Sequence, residues 1–356
     1  MEEFLQGLLV SLHPVWLGLV IVASIALLGW SAEWLVRDAV AISERSGVPK
    51  VVIGATVVSL GTTAPEVAVS VMAAINGRPG IAMGNAVGSI ICDTGLVLGI
   101  ACLIRPLPLP RKIVNRQGWV QFAAGALLIL ASWPWNNPAS VFTGGSGRLS
   151  QNWGFVFLFL LVAYLWISYR WAKELPSGKE LEELETDVGL PMWLILLKLC
   201  GAVVVVVLSS AVLIQAVSLV ADRFNIPQAV IAGTVIAFGT SLPELITGIT
   251  AARHGHGDLA VGNVIGADVL NALFVAGAAA AVTPATAVML GSGLLVTPEI
   301  FSLMFPFMFG LLLVFRLGIL FSGNELKRGF GFILLGIYVV YLVTLIAANL
   351  SGPGPG

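Results

Sequence analysis

Two short polar segments contain the residues of this 356-residue chain that are best suited to chemistry. The first reads Gly-Thr-Thr-Ala-Pro-Glu at 61–66, and the second reads Gly-Thr-Ser-Leu-Pro-Glu at 239–244. Each is followed by Gly-Asn-x-x-Gly, at 84–88 and at 262–266, with an offset of 178 residues throughout. Between 61–99 (the first copy) and 239–277 (the second copy), 13 of 39 positions are identical without a gap. This pattern indicates a duplicated cation site.

Three carboxylates lie inside apolar stretches, where a charge is costly. Glu66, Asp93 and Glu244 have no Lys or Arg at similar depth in the same predicted helices. A charged side chain at the centre of a membrane helix costs about 2.5–3.5 kcal/mol on insertion scales. A bound cation is therefore the economical partner for these acids.

The side-chain oxygens around these acids share helix faces. On one predicted helix Ser59, Thr62 and Glu66 stand at i, i+3 and i+7. The other residues at helical spacing are Asn85, Ser89 and Asp93; Thr240 and Glu244, with the Ala237 carbonyl; and Asn263 and Asn271. Such hard oxygen ligands suit calcium and sodium. The lack of a His or Cys cluster argues against zinc, copper or iron, and the three cysteines lack metal-type spacing.

Composition places these oxygens in a lipid bilayer. Hydrophobic residues make up 58% of the chain and charged residues only 10%, whereas a water-facing surface needs roughly a quarter of its residues charged. The formal net charge of −1 gives no sign of a nucleic-acid partner. The expected partners are therefore the bilayer and inorganic cations, with no obligate protein partner evident.

Apolar runs predict an all-α membrane protein with ten transmembrane helices. A span needs about 20 apolar residues to cross ~30 Å of hydrocarbon. Pro65 and Pro243 interrupt the second and seventh spans, which is tolerated in lipid only where something else satisfies the freed backbone groups. The predicted spans are about 15–36, 51–75, 80–104, 118–135, 153–171, 192–220, 229–253, 259–282, 298–315 and 328–350.

The distribution of Lys and Arg predicts the orientation. With the N-terminus outside, fourteen of the eighteen basic residues fall at cytoplasmic ends; Arg78, Arg148 and Arg223 fall outside, and Lys198 lies within span six. Five spans in each half force the second copy to enter the membrane upside down. We therefore predict two inverted five-helix repeats, residues 1–171 and 192–356, joined by a cytoplasmic linker at 172–191, with both termini outside the cytoplasm.

The paired Gly-Thr-Thr/Ser-x-Pro-Glu segments, each followed by Gly-Asn-x-x-Gly, resemble the α-repeats of the cation/calcium exchanger superfamily, most closely its prokaryotic sodium/calcium exchanger branch. The resemblance covers nearly the whole chain and implies a multi-pass protein of the prokaryotic inner membrane without a cofactor. It implies a central divalent site formed by Glu66, Asp93, Glu244 and Asn271. It further implies flanking sodium sites that use Thr62, Ser89, Thr240 and the carbonyls of Ser59 and Ala237, with Thr63 and Ser241 lining the path.

One position departs from the family pattern. The second repeat of the family commonly continues with Gly-Ser-Asn, whereas this chain has Gly266-Ala267-Asp268. One hydroxyl ligand is therefore missing, and an extra carboxylate stands beside it. Asp268 lies about 60° around the helix from Asn271, close enough to join the site or to accept a proton. Both roles remain open from the sequence.

These features predict a secondary active antiporter that exports Ca²⁺ by letting Na⁺ in through alternating access. Inverted repeats with a broken helix in each half are typical of such transporters. The alternative within transport is an H⁺/Ca²⁺ antiporter. An intramembrane carboxylate enzyme is disfavoured because it does not explain the matched threonines and Gly-Asn motifs, so no enzymatic activity is expected. No phosphate-binding Gly-x-x-x-x-Gly-Lys-Ser/Thr motif is present, which argues against ATP-driven pumping.

Overall fold

The computed structural model describes residues 7, 9–10, 12–174, 190–223, 237–283 and 293–351, and these are mainly helical. Most of the predicted linker at 172–191 and residues 229–236 of the predicted seventh span lie outside the described residues. The helices are α1 (Pro14–Ser46), α2 (Lys50–Thr62), α3 (Ala64–Ile75), α4 (Pro79–Ile104), α5 (Arg111–Ser132), α6 (Gln151–Lys173), α7 (Met192–Arg223), α8 (Ala237–Thr240), α9 (Leu242–Arg253), α10 (Gly257–Val282), α11 (Ile300–Phe321) and α12 (Arg328–Ser351).

Seven of these helices are long and apolar enough to cross a membrane, and eight spans result if the bent pair α2–α3 counts as one. The helix α5 is not among these seven apolar helices, because Arg116, Gln117 and Gln121 make its first half polar. It nevertheless has 22 residues and overlaps the predicted fourth span. The chain is therefore a multi-pass membrane protein, and the count of ten remains a prediction.

The predicted helix breaks occur just before the prolines. Between α2 and α3 the axis bends by 46°, and Thr63 at the break has φ −81° and ψ 0°. Ser241, at the equivalent position before α9, has φ −85° and ψ 8°. Pro65 and Pro243 each lie in the first turn of the following helix, where their missing N–H has no intrahelical partner to lose. Each break therefore leaves backbone polar groups beside a glutamate.

The helices that follow the two breaks form the centre of the bundle. Of the 18 most apolar consecutive residues in each helix, 78% are buried in α4 and 89% in α10. The corresponding values are 28% in α1 and 22% in α12. The central pair is rich in Gly, Ala and Val, and it includes many of the side chains in the largest buried cluster. The outer helices instead direct large apolar side chains outward, as lipid contact requires.

Glycines allow α2 to pack directly against α10. A Cβ on Gly54 would lie 2.5 Å from the Leu259 carbonyl oxygen, and one on Gly266 would lie 2.5 Å from the Ser59 hydroxyl. A Cβ on Gly262 would overlap the Val51 carbonyl. These approaches bring the Gly-Asn-x-x-Gly segment of the second copy against the helix that carries Ser59 and Thr62.

Two short antiparallel strand pairs lie at opposite ends of α5. The strand β1 (Leu107–Pro108) pairs with β4 (Glu325–Leu326) beside the start of α5, whereas β2 (Gly147–Leu149) pairs with β3 (Leu294–Val296). A Cβ on Gly147 would overlap the Ser132 carbonyl, which places β2 at the far end of α5. A 22-residue helix is about 33 Å long, so the two strand pairs are separated by roughly the hydrocarbon thickness.

The helices α1 and α7 pack along each other and lie against the broken helices. Val203 of α7 fills the space over Gly61, where a Cβ would lie 2.7 Å from its side chain. Ile214 of α7 lies over Gly239, also 2.7 Å from a Cβ there, and the Ser210 hydroxyl donates to the Gly239 carbonyl at 3.2 Å. In this conformation α7 therefore covers the first glycine of the Gly-Thr-Thr/Ser-x-Pro-Glu segment in both copies.

The close approach of α2 to α10 predicts unequal effects at two equivalent glycines. Gly262→Ala should lower stability by about 1–3 kcal/mol or more, because its Cβ meets backbone that cannot rotate away. Gly84→Ala, at the equivalent position of the first copy, is the matched control, since no described atom lies within 4 Å of its Cβ. Thermal unfolding of the detergent-solubilised protein measures both. Equal melting temperatures for the two variants would contradict this packing.

Candidate cation site

Side chains of the two copies meet between the central helices. The Thr63 hydroxyl donates to Glu244 Oε1 at 3.3 Å. The Asn271 amide Nδ2 donates to Asp93 Oδ2 at 3.3 Å, and these two residues occupy equivalent positions of the two copies. Contact between equivalent residues means that both copies contribute to one common site.

Asn85 connects the two Pro-Glu segments. Its Nδ2 donates to the Glu66 carbonyl at 3.3 Å and to Ser70 Oγ at 3.0 Å. Its Oδ1 accepts from the Thr240 hydroxyl at 3.2 Å. Because the amide uses both of its ends, Asn85 positions the first turn of α3 and the end of α8 relative to each other.

Asn263, the equivalent residue of the second copy, is arranged differently. It is 1% exposed, and neither Oδ1 nor Nδ2 has a hydrogen-bond partner among the described residues. Position 248, equivalent to Ser70, is glycine, so the second copy lacks one of the acceptors that hold Asn85. The site is therefore asymmetric although its sequence is duplicated.

The carboxylates of this region are completely buried within the protein. Glu66, Asp93 and Glu244 are each 0% exposed. Both oxygens of Glu66, Oδ1 of Asp93 and Oε2 of Glu244 lack a hydrogen-bond partner among the described residues. The charged groups that act on Glu66 are the other two carboxylates. Mutual repulsion and desolvation make this arrangement costly unless positive charge enters it.

The hydroxyls predicted to flank the acids are also buried. The Thr62 hydroxyl donates to the Val58 carbonyl at 3.3 Å within its own helix, and the Ser59 carbonyl accepts the Thr63 N–H at 2.9 Å. Ser89 Oγ and Ser241 Oγ have no partner among the described residues. Ala237 is the first described residue of α8, one helical turn before Thr240 and Ser241.

Carboxylates alone do not complete a metal site here. Among the described residues, no three His, Cys, Asp or Glu side chains are close enough together to hold a metal ion. An ion bound between the copies would therefore also need hydroxyl, amide or backbone oxygens. Calcium, which takes six to eight oxygen ligands, commonly combines these types.

A π-helical turn begins at each of the two residues that meet, a feature that sequence reasoning missed. These turns span Asp93–Val97 and Asn271–Val275. Such turns widen the helix by one residue and are frequent at functional sites because they leave backbone carbonyls without regular partners. They therefore add backbone oxygens and local adjustability beside Asp93 and Asn271.

Asp268 is hydrogen-bonded to two polar side chains outside the predicted ligand set. Its Oδ2 accepts hydrogen bonds from the Thr94 hydroxyl and from Gln121 Nε2, both at 2.5 Å, and the residue is 2% exposed. Because Thr94 directly follows Asp93 in α4, its hydrogen bond places Asp268 near Asp93. The sequence analysis did not single out Thr94 or Gln121, although the polar Gln121 inside the predicted fourth span was an available signal.

Comparison with known proteins agrees with this geometry. The family model of the sodium/calcium exchanger protein matches two segments, residues 16–170 and 193–347. The inner membrane protein YrbG of Escherichia coli is 31% identical over 91% of this chain and 95% of its own length. The sodium/calcium exchanger MaX1 of Methanosarcina acetivorans is 27% identical over 92% of this chain and 97% of its own length.

Solved structures share the fold. The sodium-calcium exchanger NCX_Mj soaked with 2.5 mM Na⁺ and 10 mM Sr²⁺ superposes with a TM-score of 0.74 at 25% identity, over 93% of this chain and 99% of that protein. The family model covers well over half of the chain, in two segments that each contain one Pro-Glu motif. The chain belongs to the sodium/calcium exchanger family.

Proposed function

We propose that this protein exchanges Ca²⁺ for Na⁺ across the membrane by alternating access and exports Ca²⁺. The observation that carries the proposal is the buried group of three carboxylates contributed by both copies. Among the described residues several of their oxygens lack a hydrogen-bond partner, and the charged groups that act on Glu66 are the other two acids. Family membership and the similarity to exchangers named for sodium and calcium support the identity of the ions.

In this proposal Glu66, Asp93, Glu244 and Asn271 bind the divalent ion in a conformation in which the three acids lie closer together than they do here. The three acids carry up to three negative charges, which a divalent cation compensates more fully than a single monovalent one. The contacts Thr63–Glu244 and Asn271–Asp93 support the set, since they bring the four residues to the boundary between the copies.

The sodium ions occupy positions flanking this set. Their ligands are oxygens one or two turns from the acids. The buried hydroxyls of Ser89 and Ser241, which have no hydrogen-bond partner in the described part of the chain, are consistent with such roles. The proposed ligands and path residues are Ser59, Thr62, Thr63, Ser89, Ala237, Thr240 and Ser241.

Shared carboxylates would couple the two ions. Calcium and sodium cannot both use Glu66 and Glu244 fully, so binding of one favours release of the other. Any stoichiometry above two sodium ions per calcium ion moves net positive charge inward, and the membrane potential contributes about 2.3 kcal/mol per charge per 100 mV. Inward sodium movement then drives calcium outward.

The proposed architecture is two inverted repeats, residues 1–171 and 192–356, with ten helices in all. The bounds Ala64–Ile75 and Leu242–Arg253 differ by the same 178 residues as the sequence motifs. Ile104 at the end of α4 accepts from Arg328 beside the β1–β4 pair, and Ala281 at the end of α10 accepts from Gln151 beside β2. Since these strand pairs lie at opposite ends of α5, α4 and α10 run in opposite directions, which supports inversion. The proposed orientation has the linker at 172–191 in the cytoplasm and both termini outside.

In the proposed alternating-access mechanism, α1 and α7 change the residues that they contact when the site opens to the other side of the membrane. In the present conformation α7 covers both Gly61 and Gly239, and Asn85 is hydrogen-bonded while Asn263 is not. A duplicated site with unequal environments is expected for a transporter that is open to one side at a time. Movement of the α1–α7 pair along the broken helices would give the second environment.

Calcium-45 uptake into proteoliposomes tests the proposed function. An outward sodium gradient, with sodium inside, should drive uptake well above that of vesicles in equal salt, and valinomycin-clamped potential should alter the rate. A proton gradient without sodium separates the H⁺/Ca²⁺ alternative. Uptake driven by protons but not by sodium would identify H⁺ rather than Na⁺ as the counter-ion. Absence of uptake under both gradients would refute calcium exchange.

Neutralising either central glutamate should abolish exchange. Glu66→Gln and Glu244→Gln each remove one proposed ligand charge with little change in shape, and we expect calcium uptake to fall at least tenfold. Glu174→Gln is the matched control, because Glu174 lies at the surface in an exposed ion pair with Arg116. Near-normal uptake by both site variants would reject the site assignment.

The pair Asp93 and Asn271 offers a charge-exchange test. Asp93→Asn should weaken calcium binding more than sodium binding, because attraction scales with the charge of the ion. The double variant Asp93→Asn/Asn271→Asp restores the charge at the equivalent, contacting position and should recover part of the calcium affinity. Calcium and sodium competition curves measure both effects. Equal losses for the two ions, with no recovery in the double variant, would exclude Asp93 as a ligand.

A further inference from the structure

A positively charged side chain is buried between α11 and α5 without an acid in contact with it. Arg316 is 3% exposed and is the charged residue of α11. Its Nη1 donates to the backbone carbonyl of Asn115 on α5 at 3.2 Å, and its Nη2 donates to Asn115 Oδ1. Its Nε has no hydrogen-bond partner among the described residues. Two neutral oxygens leave the charge of Arg316 uncompensated, which is costly in a membrane protein.

The surface of α5 accommodates this side chain. The Arg316 guanidinium lies 4.3 Å from the centre of the Trp119 ring, within the range of a cation–π contact. A Cβ on Gly118 would lie 3.0 Å from Nη1, so the glycine lets the guanidinium lie close to the helix. Asn115 and Trp119 are one turn apart, and both are exposed. The buried charge therefore lies against residues of the outward face of α5.

The side chains on this outward face offer hydrogen-bond donors. A guanidinium has only donors, so the side-chain atom of Asn115 that it contacts is the oxygen, and the two N–H groups of Nδ2 are left for another partner. Lys112, one turn before Asn115, is exposed and carries three N–H donors. Trp119 adds its indole N–H. A surface of donors above a buried positive charge suits an anion.

The surrounding acids do not neutralise this face. Neither α5 nor α11 contains Asp or Glu. Glu174, which follows α6, already pairs with Arg116 at 2.7 Å. Glu325 on β4 is followed by Lys327 and Arg328. Among the described residues at this end of the bundle, positive charge therefore exceeds negative charge.

Apolar surface continues from the donors along both helices. Trp119 is 52% exposed, and the ring of Phe122, nearly one turn further along α5, lies 5.1 Å from that of Phe309 on α11. Trp119 stands about 12 Å along the axis from the first residue of α5. The exposed leucines around Arg316 on α11 are Leu313, Leu317 and Leu320. A ligand that matches this surface has an anionic group near the end of the bundle and apolar chains toward its middle.

We propose that Lys112, Asn115, Trp119 and Arg316, here called the donor face, bind the headgroup phosphate of an anionic phospholipid. Lys112 and Asn115 contact the phosphate, the uncompensated charge of Arg316 attracts it, and Trp119 packs against the glycerol and the start of an acyl chain. A zwitterionic lipid binds more weakly because its ammonium group is repelled by the same cations. The donor face is separate from the cation site, and this proposal does not depend on the exchange function.

Native mass spectrometry of the full-length protein measures lipid retention directly. After equal incubation in detergent, dioleoylphosphatidylglycerol should be retained several-fold more than dioleoylphosphatidylcholine. Equal retention of the two lipids would overturn the proposal. Inorganic phosphate, added at the same concentration as the lipid, should leave the phosphatidylglycerol complex in place. Displacement by inorganic phosphate would identify a free anion rather than a lipid as the ligand and would also overturn it.

Asn115→Asp gives Arg316 an acid within the protein. The variant keeps the oxygen that accepts from Arg316, but it replaces the outward donors with negative charge. Phosphatidylglycerol retention should therefore fall to the phosphatidylcholine level, while the melting temperature in lipid-free detergent stays equal to that of the wild type or rises. If Arg316 only anchored α11 to α5, stability would be kept and lipid retention would not change. Wild-type retention in Asn115→Asp would contradict the proposal.

Asn136→Asp is the matched control for Asn115→Asp. It makes the same chemical change at an exposed position beyond the other end of α5, and it should keep wild-type lipid retention. Loss of retention in this control as well would assign the effect to the net charge of the protein and overturn the proposed site.

Lys112→Gln provides a second test at an exposed position where folding is not at risk. Phosphatidylglycerol retention should fall several-fold, because one phosphate contact and one positive charge are lost. Lys173→Gln is its control, since Lys173 is an exposed lysine near the end of α6 that lies over Tyr169 instead of on the donor face. Equal losses in the two lysine variants would indicate attraction by the general charge of this end of the bundle and would overturn the proposed site.

Discussion

The rest of the structure depends on the cost of burying several carboxylates in a membrane protein without basic partners. Glu66, Asp93 and Glu244 are each fully buried, and each retains at least one unpartnered oxygen among the described contacts. Such a group is stable only if cations can reach it and if polar atoms share the ion's coordination. The broken helices, the π-helical turns and the surrounding hydroxyls all supply such atoms near these acids.

Close helix packing is the second requirement, because an oxygen site shared by two copies needs their backbones to approach. Gly54, Gly262 and Gly266 allow α2 and α10 to touch where a larger residue would collide with carbonyl groups. The glycines of the Gly-Asn-x-x-Gly motif in the second copy are therefore packing elements, whereas Asn85 of the first copy makes polar contacts.

The duplication made a large part of this site predictable from the sequence. The prolines located the helix breaks at Thr63 and Ser241, and the 178-residue offset identified Asp93 and Asn271 as equivalent residues that the structure brings into contact. Helix ends were less predictable: α1 was expected at 15–36 but extends to Ser46, because hydrogen bonding continues after the apolar run has ended. The contacts of Asp268 with Thr94 and Gln121 could not be predicted from the duplication. At the 178-residue offset, Asp268 corresponds to Ile90 and Thr94 corresponds to Ala272, neither of which has a polar side chain.

The two copies have diverged, so that equivalent positions make different contacts. Ser70 helps hold Asn85, whereas Gly248 leaves Asn263 without the corresponding contact. The second copy replaces a commonly found hydroxyl by Ala267 and adds Asp268, which finds its partners on α4 and α5. Duplication thus accounts for the common ion site, and divergence accounts for its asymmetry. A symmetric pair of copies would have the same energy in mirror-related conformations, whereas unequal hydrogen bonding makes the energies of the two conformations differ.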